Sequence, residues 1–324
     1  FIIYALIQIP SGWLADRIGG KKAATLGNAI TAVSSYASGW ASSYFPLLLT
    51  RLFCGSGQGM GWPSSTKLVA EWFPPDKRGV AMGILTSSVA LGSFLALVLA
   101  GLFLSIYDWR AVFFAPALIL TCITVVFWLV IKDHPNRVTV EAAVRDKVFR
   151  RQVVRVLKDG VMRKIAFSYF CWKYAFEGLF YWLPAYFVET FGLSGGNAGM
   201  LAGIVLLMGL GSMPLGGLIS DRVRRRERVI IVSLISSGAL LLFLSMANDY
   251  WLILFILLLA SFLFQLSEGV YFIIPVDRFG SELTGVGVGF INLGGQIGTL
   301  LAPWLAGIII DNYHSYSPTF LMFG

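Results

Sequence analysis

Lys173 and Glu177 lie four positions apart, one helical turn, within an apolar run from 165 to 188. An ionisable side chain inside such a run costs about 2.5–3.5 kcal/mol on insertion scales, so each one is a candidate for function. Two roles fit the pair. Lys173 could hold a ligand carboxylate or phosphate while a buried Glu177 takes up and releases a proton. Alternatively the two form a neutral structural pair, although Lys before Glu is the weaker order on a helix. Glu268, three residues after Gln265, is a second acid for proton traffic. Arg51 and Lys67 share one run sixteen residues apart, about 24 Å along a helix at 1.5 Å per residue. Lys67 is a second cation for an anion, or else snorkels to the membrane surface beside Glu71. Asn292 and Gln296 share a helix face and offer amide hydrogen bonds to a polar ligand or to a neighbouring helix. Tyr174 offers an aromatic face and hydroxyl that a sugar ring or carboxylate could meet, or else faces lipid or the interface belt, the more common place for such residues.

Other chemistry has little support. His134 and His314 fall in loops and no metal-ligand spacing occurs. The three cysteines (Cys54, Cys122, Cys171) sit in apolar runs and define no disulfide framework. Neither a phosphate-cradling glycine loop nor a Ser/His/Asp arrangement is present, so no metal, cofactor or enzymatic activity is expected.

The elements that must position these groups are membrane spans. Hydrophobic residues make up 57% of the 324-residue chain and charged ones 13%, half the charge of a typical soluble domain (about 25%). Runs near 23–39, 46–70, 79–104, 111–131, 165–188, 198–220, 229–246, 250–276 and 284–309 are apolar, most of them long enough for about 20 residues of bilayer core. The chain opens inside one further run and stops inside another, and reads as a fragment of a twelve-span protein lacking its first span.

Charge placement supports that count. Of 25 Lys and Arg, all but four fall in the alternate segments 10–22, 71–79, 132–164, 221–228 and 277–283. The positive-inside rule makes those segments cytoplasmic, in an inner or plasma membrane. The net charge of +8 is then inner-leaflet bias rather than a nucleic-acid surface. The segment 132–164, with Phe149, Val153, Val156 and Leu157 at amphipathic spacing, reads as a linker between the halves 1–131 and 165–324.

The two halves carry an internal repeat. Gly12-Trp13-Leu14-Ala15-Asp16-Arg17 recurs as Gly217-Leu218-Ile219-Ser220-Asp221-Arg222, each copy preceded by a Pro and followed by a basic run. A charged turn repeated once per half of an apolar protein marks a duplicated transporter bundle.

At these residues the chain resembles the major facilitator superfamily. Gly12 to Lys22 is similar to its signature loop, 217–228 to the second-half copy, and Arg51-Leu52-Phe53-Cys54-Gly55-Ser56-Gly57-Gln58-Gly59 to its Arg-then-glycine motif. Gly61-Trp62-Pro63 with Lys67, Trp72-Phe73-Pro74, Lys77-Arg78-Gly79 and Trp182-Leu183-Pro184-Ala185-Tyr186 resemble the anion:cation symporters and organophosphate antiporters. Residues 80–104 lack the Pro that drug/proton antiporters carry there.

The resemblance implies an all-α bundle of two six-helix halves. It implies Asp16 and Arg17 as a conformational latch against the helix beginning near 284, and Arg51 in proton coupling or conformational control unless it merely bonds a neighbouring helix. By the repeat, Asp221 and Arg222 would latch the helix beginning near 79. The expected function is secondary active transport of a small organic anion (a sugar acid, carboxylate or phosphorylated compound) by a monomer, with a proton or Na+ as coupling ion. Phosphate-linked antiport, neutral sugar or drug transport, and ligand sensing without transport remain alternatives.

Overall fold

An apolar chain in a bilayer satisfies its backbone N–H and C=O groups inside its own helices. A computed structural model describes residues 2–132, 151, 153–280 and 283–324. Among the described residues the regular elements are all α-helical: α1 (Ile2–Ile18), α2 (Gly20–Gly39), α3 (Tyr44–Trp72), α4 (Arg78–Ile106), α5 (Ala111–Val130), α6 (Gly160–Phe191), α7 (Gly195–Val223), α8 (Arg226–Leu244), α9 (Tyr250–Leu266), α10 (Glu268–Tyr271), α11 (Ile274–Phe279), α12 (Thr284–Tyr313) and α13 (Ser317–Phe323). Six of the helical runs, among them Tyr250–Phe279, are long and apolar enough to cross a membrane by length and composition.

Local chemistry sets the helix ends. Gly19 adopts φ 96°, a left-handed conformation open to glycine, and reverses the chain between α1 and α2. Asp159 caps α6, its Oδ1 accepting from Val161 N–H at 3.0 Å and Met162 N–H at 2.9 Å. Asp249 caps α9 through Leu252 N–H at 2.9 Å.

Each whole span expected from hydropathy falls on helix, with ends agreeing to within five residues, but the 250–276 run is broken. The helix gives way after Leu266, where backbone bonds shorten to three-residue steps: Val270 N–H to Ser267 O at 3.0 Å and Ile273 N–H to Val270 O at 3.2 Å. Ser267 holds the break, its hydroxyl donating to Phe264 O at 3.1 Å and paired with Ser233 Oγ at 3.0 Å. Of the expected linker, residues 133–150 and 152 lie outside the described residues, Phe149 and His134 among them; 153–158 is helical, with Val156 buried.

The chain forms two compact units. Unit 1 contains Phe1–Phe73, Val98–Lys164 and Pro275–Leu293; unit 2 contains Pro74–Leu97, Ile165–Ile274 and Gly294–Gly324. Each therefore includes one helix segment from the far side of the linker in sequence: 275–293 in unit 1, 74–97 in unit 2.

Small residues make both incorporations geometrically possible. In unit 1 a Cβ on Gly12 would enter the carbonyl of Gly285, and one on Gly289 would meet the carbonyl of Gln8. In unit 2 a Cβ on Gly217 would enter the carbonyl of Gly79, and one on Gly83 the carbonyl of Met213. The contacts repeat: Gly12 and Gly217, like Gln8 and Met213, differ by 205 in number, and Gly79 and Gly285, like Gly83 and Gly289, by 206.

Unit 2 also holds an aromatic core. Trp172, fully buried, donates its indole N–H to Phe264 O at 2.7 Å and stacks on Tyr169 and Phe176. Tyr169 in turn meets Tyr271 and Phe272. This cluster fixes the rotation of α6 and thereby the side that Lys173 presents.

Candidate functional site

Three polar constellations sit in these helices. In unit 1, Asp16 stands in the last turn of α1, over the first turn of α12. Its Oδ1 accepts from Gly285 N–H and its Oδ2 from Val286 N–H, both at 3.1 Å. A helix N-terminus leaves such donors unpaired and carries partial positive charge, so a carboxylate satisfies both demands at once. The cation on Asp16 is Lys67 of α3, with Nζ 2.8 Å from Oδ1 and 3.9 Å from Glu71. Lys67 is buried (5% exposed). Sequence reading offered substrate contact or snorkelling for this residue; the structure joins it to Asp16 instead, because α1 packs on α3 through Ser11 and Gly59. Arg17 lies over the Trp13 ring, 5.1 Å from its centroid.

In unit 2 the arrangement recurs. Asp221, in the last turn of α7, accepts from Gly79 N–H on Oδ1 and Val80 N–H on Oδ2, both at 3.0 Å. Here the cation is Arg226 at the start of α8, whose Nη1 reaches Asp221 at 2.6 Å and Ser220 Oγ at 3.0 Å, with Nη2 at 3.3 Å from Pro75 O. Arg222, the residue expected by analogy with Arg17, is exposed at the end of α7. Sequence reading missed Arg226, and the repeat held the signal: Arg226 sits 205 after Lys21. It also missed the Gly-Val pairs 79–80 and 285–286, which supply the donors in both copies.

The third constellation is the Lys173 cluster of unit 2. Lys173 Nζ lies 2.6 Å from Glu177 Oε1 on its own helix and 3.8 Å from Glu268 Oε1 at the break after α9. The side chains of Lys173, Glu177 and Glu268 are 12%, 27% and 6% exposed. Gly295 of α12 makes room: a Cβ there would strike Tyr169 Cε1 at 2.5 Å and Lys173 Cγ at 3.0 Å. One ammonium between two carboxylates sums to −1 when all three are ionised. Gln265 is buried nearby in sequence and bonds Ser261 Oγ at 2.9 Å, bracing α9 rather than Glu268.

The remaining expected residues are placed as follows. Arg51 donates to Ser38 Oγ and, at 3.5 Å, to Ser34 O on α2, with its guanidinium 4.9 Å from the Phe113 ring centroid; this is the neighbouring-helix geometry. Tyr174 donates to Met322 Sδ at 3.0 Å and packs on Phe323, so its partner lies on α13. Asn292 donates to Tyr4 Oη at 3.4 Å in unit 1. Gln296 is buried in unit 2. Among the described residues no group of His, Cys, Asp or Glu could hold a metal ion.

Comparison with known proteins agrees with this architecture. A family model described as Major Facilitator Superfamily matches residues 1–303. The chain is 26% identical to the "Probable sulfoacetate transporter SauU" of Cupriavidus necator, over 99% of this chain and 79% of that protein. It is 25% identical to a hexuronate transporter of Bacillus subtilis, over 99% and 79%. Among solved structures, the Escherichia coli fucose:proton symporter FucP superposes with a TM-score of 0.82 at 18% identity, covering 99% of this chain and 85% of that one, which is a likeness of fold. The chain belongs to the Major Facilitator Superfamily: it is a multi-pass membrane transporter and not an enzyme.

Proposed function

We propose that this transporter moves small organic anions by alternating access, coupled to protons, with Lys173 as the cation that receives the substrate's negative charge. The observation that carries the reading is the composition of the Lys173 cluster. An anion arriving at Lys173 must displace or join Glu177, and with both glutamates ionised it would bring the cluster to −2 in a poorly solvated site. Like charges held so close do not both persist without compensation. One proton taken up per anion restores the resting charge. Substrate and proton then enter together, which is symport.

The relatives point to the same class. Sulfoacetate and hexuronates are carboxylates, and the proteins named for them match this chain along almost its whole length. In the proposed cycle the Asp16 and Asp221 latches form and break as two six-helix halves, 1–131 and 165–324, rock about the site, with the repeated basic segments on the cytoplasmic side.

The test is uptake into proteoliposomes by the full-length protein, comparing a hexuronate, sulfoacetate, a hexose phosphate and an uncharged hexose, each with and without an inward proton gradient. Accumulation of the carboxylates above equilibrium only with the gradient is expected. Equal uptake of the uncharged hexose, or accumulation indifferent to pH, would overturn the proposal.

A further inference from the structure

Glu177 and Glu268 flank one ammonium, yet they are not equivalent. Glu177 takes a 2.6 Å charge-assisted hydrogen bond from Lys173 and is the more exposed of the two. Glu268 is 3.8 Å from the same nitrogen, an ion-pair rather than a hydrogen-bond distance. The charged groups bearing on it are Lys173 and Glu177 of α6. Tyr169 lies beside Lys173, and Tyr271, its neighbour on α10, is paired with Ser168 at 2.9 Å. From α4 the groups nearest this break are Gly83 and Thr86, neither of which titrates in this range.

The residue after Glu268 touches a different machine. A Cβ on Gly269 would lie 3.1 Å from Thr86 Oγ1, 3.2 Å from Gly83 N and 3.3 Å from Gly83 Cα, so α10 rests directly on the Gly83 backbone and the Thr86 hydroxyl of α4. Gly83 is one helical turn from Gly79, whose N–H is held by Asp221 at 3.0 Å. Gly83 also rests on Met213 and Pro214 of α7, two turns before Asp221. The Gly269–Gly83 contact therefore joins the Lys173 cluster to the second latch, at the point where the helix is already broken and its backbone bonding is short-stepped, with Leu266 resting beside it on Gly216 of α7.

We propose that Glu268 is the site of the coupled proton, and that its charge state is passed to the Asp221 latch through the Gly269–Gly83 contact. This deepens the anion–proton reading above and rests on it. With no proton, Glu268 is drawn toward Lys173. When an anion takes Lys173, the proton binds a Glu268 carboxylate oxygen and the attraction ends. Segment 267–273 relaxes, Gly269 shifts against Gly83, and the first turn of α4 is freed from Asp221. On substrate release the proton leaves Glu268 for water and Lys173 recaptures both acids. Glu177 serves throughout as the exchangeable counter-ion that the substrate replaces.

The experiment uses the full-length protein with D-glucuronate as the anion probe. Wild type in weakly buffered detergent should take up about one proton per anion bound. Glu268→Gln should take up none and fail to accumulate the probe under a pH gradient, its affinity changing by less than about ten-fold. Glu177→Gln should still take up the proton. Hydrogen–deuterium exchange supplies an arm that needs no substrate: with intrinsic exchange rates corrected, protection at Gly79 and Val80 should fall from pH 8 to pH 5.5 in wild type. In Glu268→Gln that pH dependence should vanish, and Gly269→Ala should weaken it. Should Glu268→Gln not fold, Glu268→Asp must shift the pH midpoint of protection.

Proton uptake surviving in Glu268→Gln, uptake lost in Glu177→Gln, or latch protection indifferent to residue 268 would each overturn the proposal. A wild-type protein that neither binds nor accumulates D-glucuronate would sink the substrate reading instead, and the exchange arm would still decide the role of Glu268.

Discussion

Gly12 and Gly285 exclude side chains from one another reciprocally: a Cβ on either would enter the other's carbonyl group. That approach brings Asp16, one turn beyond Gly12, onto the N–H groups of Gly285 and Val286. Gly12→Ala or Gly285→Ala should therefore break the Asp16 contacts without touching a charge. Overpacking of this kind costs about 1–3 kcal/mol, enough to shift two states of similar energy about five-fold or more. Loss of exchange protection at 285 and 286, with transport reduced, is the expected result; unchanged protection would show that the helices can yield.

Asp16→Asn replaces two acceptor oxygens with one and leaves Lys67 facing an amide. Breaking a buried pair costs about 3–5 kcal/mol, and less here because Glu71 stands 3.9 Å from the same ammonium. Transport should fall at least ten-fold while ligand affinity in detergent changes little. Adding Lys67→Met should restore part of the loss, since it removes the stranded charge. A double variant worse than Asp16→Asn would mean that Lys67 acts independently of Asp16.

Arg226 offers a sharper test of the second latch. Arg226→Lys keeps the charge but cannot reproduce the contacts to Asp221, Ser220 and Pro75 together. It should weaken protection at Gly79 and Val80 by an intermediate amount and Arg226→Ala by more. A double-mutant cycle with Asp221→Asn should return a coupling energy of about 0.5–3 kcal/mol; none would place Arg226 outside the latch.

Lys173→Gln should weaken binding of carboxylate ligands about ten- to a hundred-fold, the worth of a charge-assisted hydrogen bond at roughly 1.5–3 kcal/mol. Binding of a matched uncharged analogue should change little. Equal losses for both ligands would make Lys173 structural, holding Glu177 and Glu268 in place.

Asp159 joins α6 to Arg278 of α11, accepting from its Nε at 2.9 Å and its Nη2 at 2.7 Å. The Arg278 guanidinium holds its carboxyl below the usual carboxylate value of 3.8, helped by the α6 N-terminal N–H groups. A depressed value means that stability from this pair is fully present above pH 3.8 and is lost as pH falls through the lower, folded value. Asp159→Asn should lower the thermal midpoint at pH 7 and narrow its gap to wild type on acidification. A constant gap down to pH 3 would assign the effect to capping alone.

Sequence carried most of the fold because composition, apolar run length and the alternation of basic loops each report on the bilayer independently. It also carried Asp16 and Asp221, since a charged turn duplicated in each half leaves few readings. The pairing of Lys67 with Asp16 was not legible because the two lie 51 residues apart, and hydropathy records depth without showing which neighbour a cation meets. Tyr174 bonds Met322, 148 residues away, a partner that position on a helix does not reveal. The break at Ser267 coincides with Gln265, Ser267, Glu268 and Gly269, polar or small residues that the length of the surrounding apolar run outweighs. It is made by serine hydroxyls bonding backbone carbonyls, a local competition that apolar periodicity does not register.

Asp16 and Asp221 both bond main-chain N–H groups, which no codon encodes. A defect at Asp16 or Asp221 thus cannot be repaired by reciprocal charge exchange at the opposite pole, because the opposite pole has no side chain to exchange. Genetic reversion must come from elsewhere, by removing the cation left stranded at Lys67 or Arg226, by destabilising the competing conformation or by resizing the glycine contacts that set the approach. A suppressor screen begun from Asp16→Asn would accordingly be expected to map hinge and packing positions together with Lys67, whose charge is left stranded, and to trace the moving parts of the transporter by the sites at which it recovers growth.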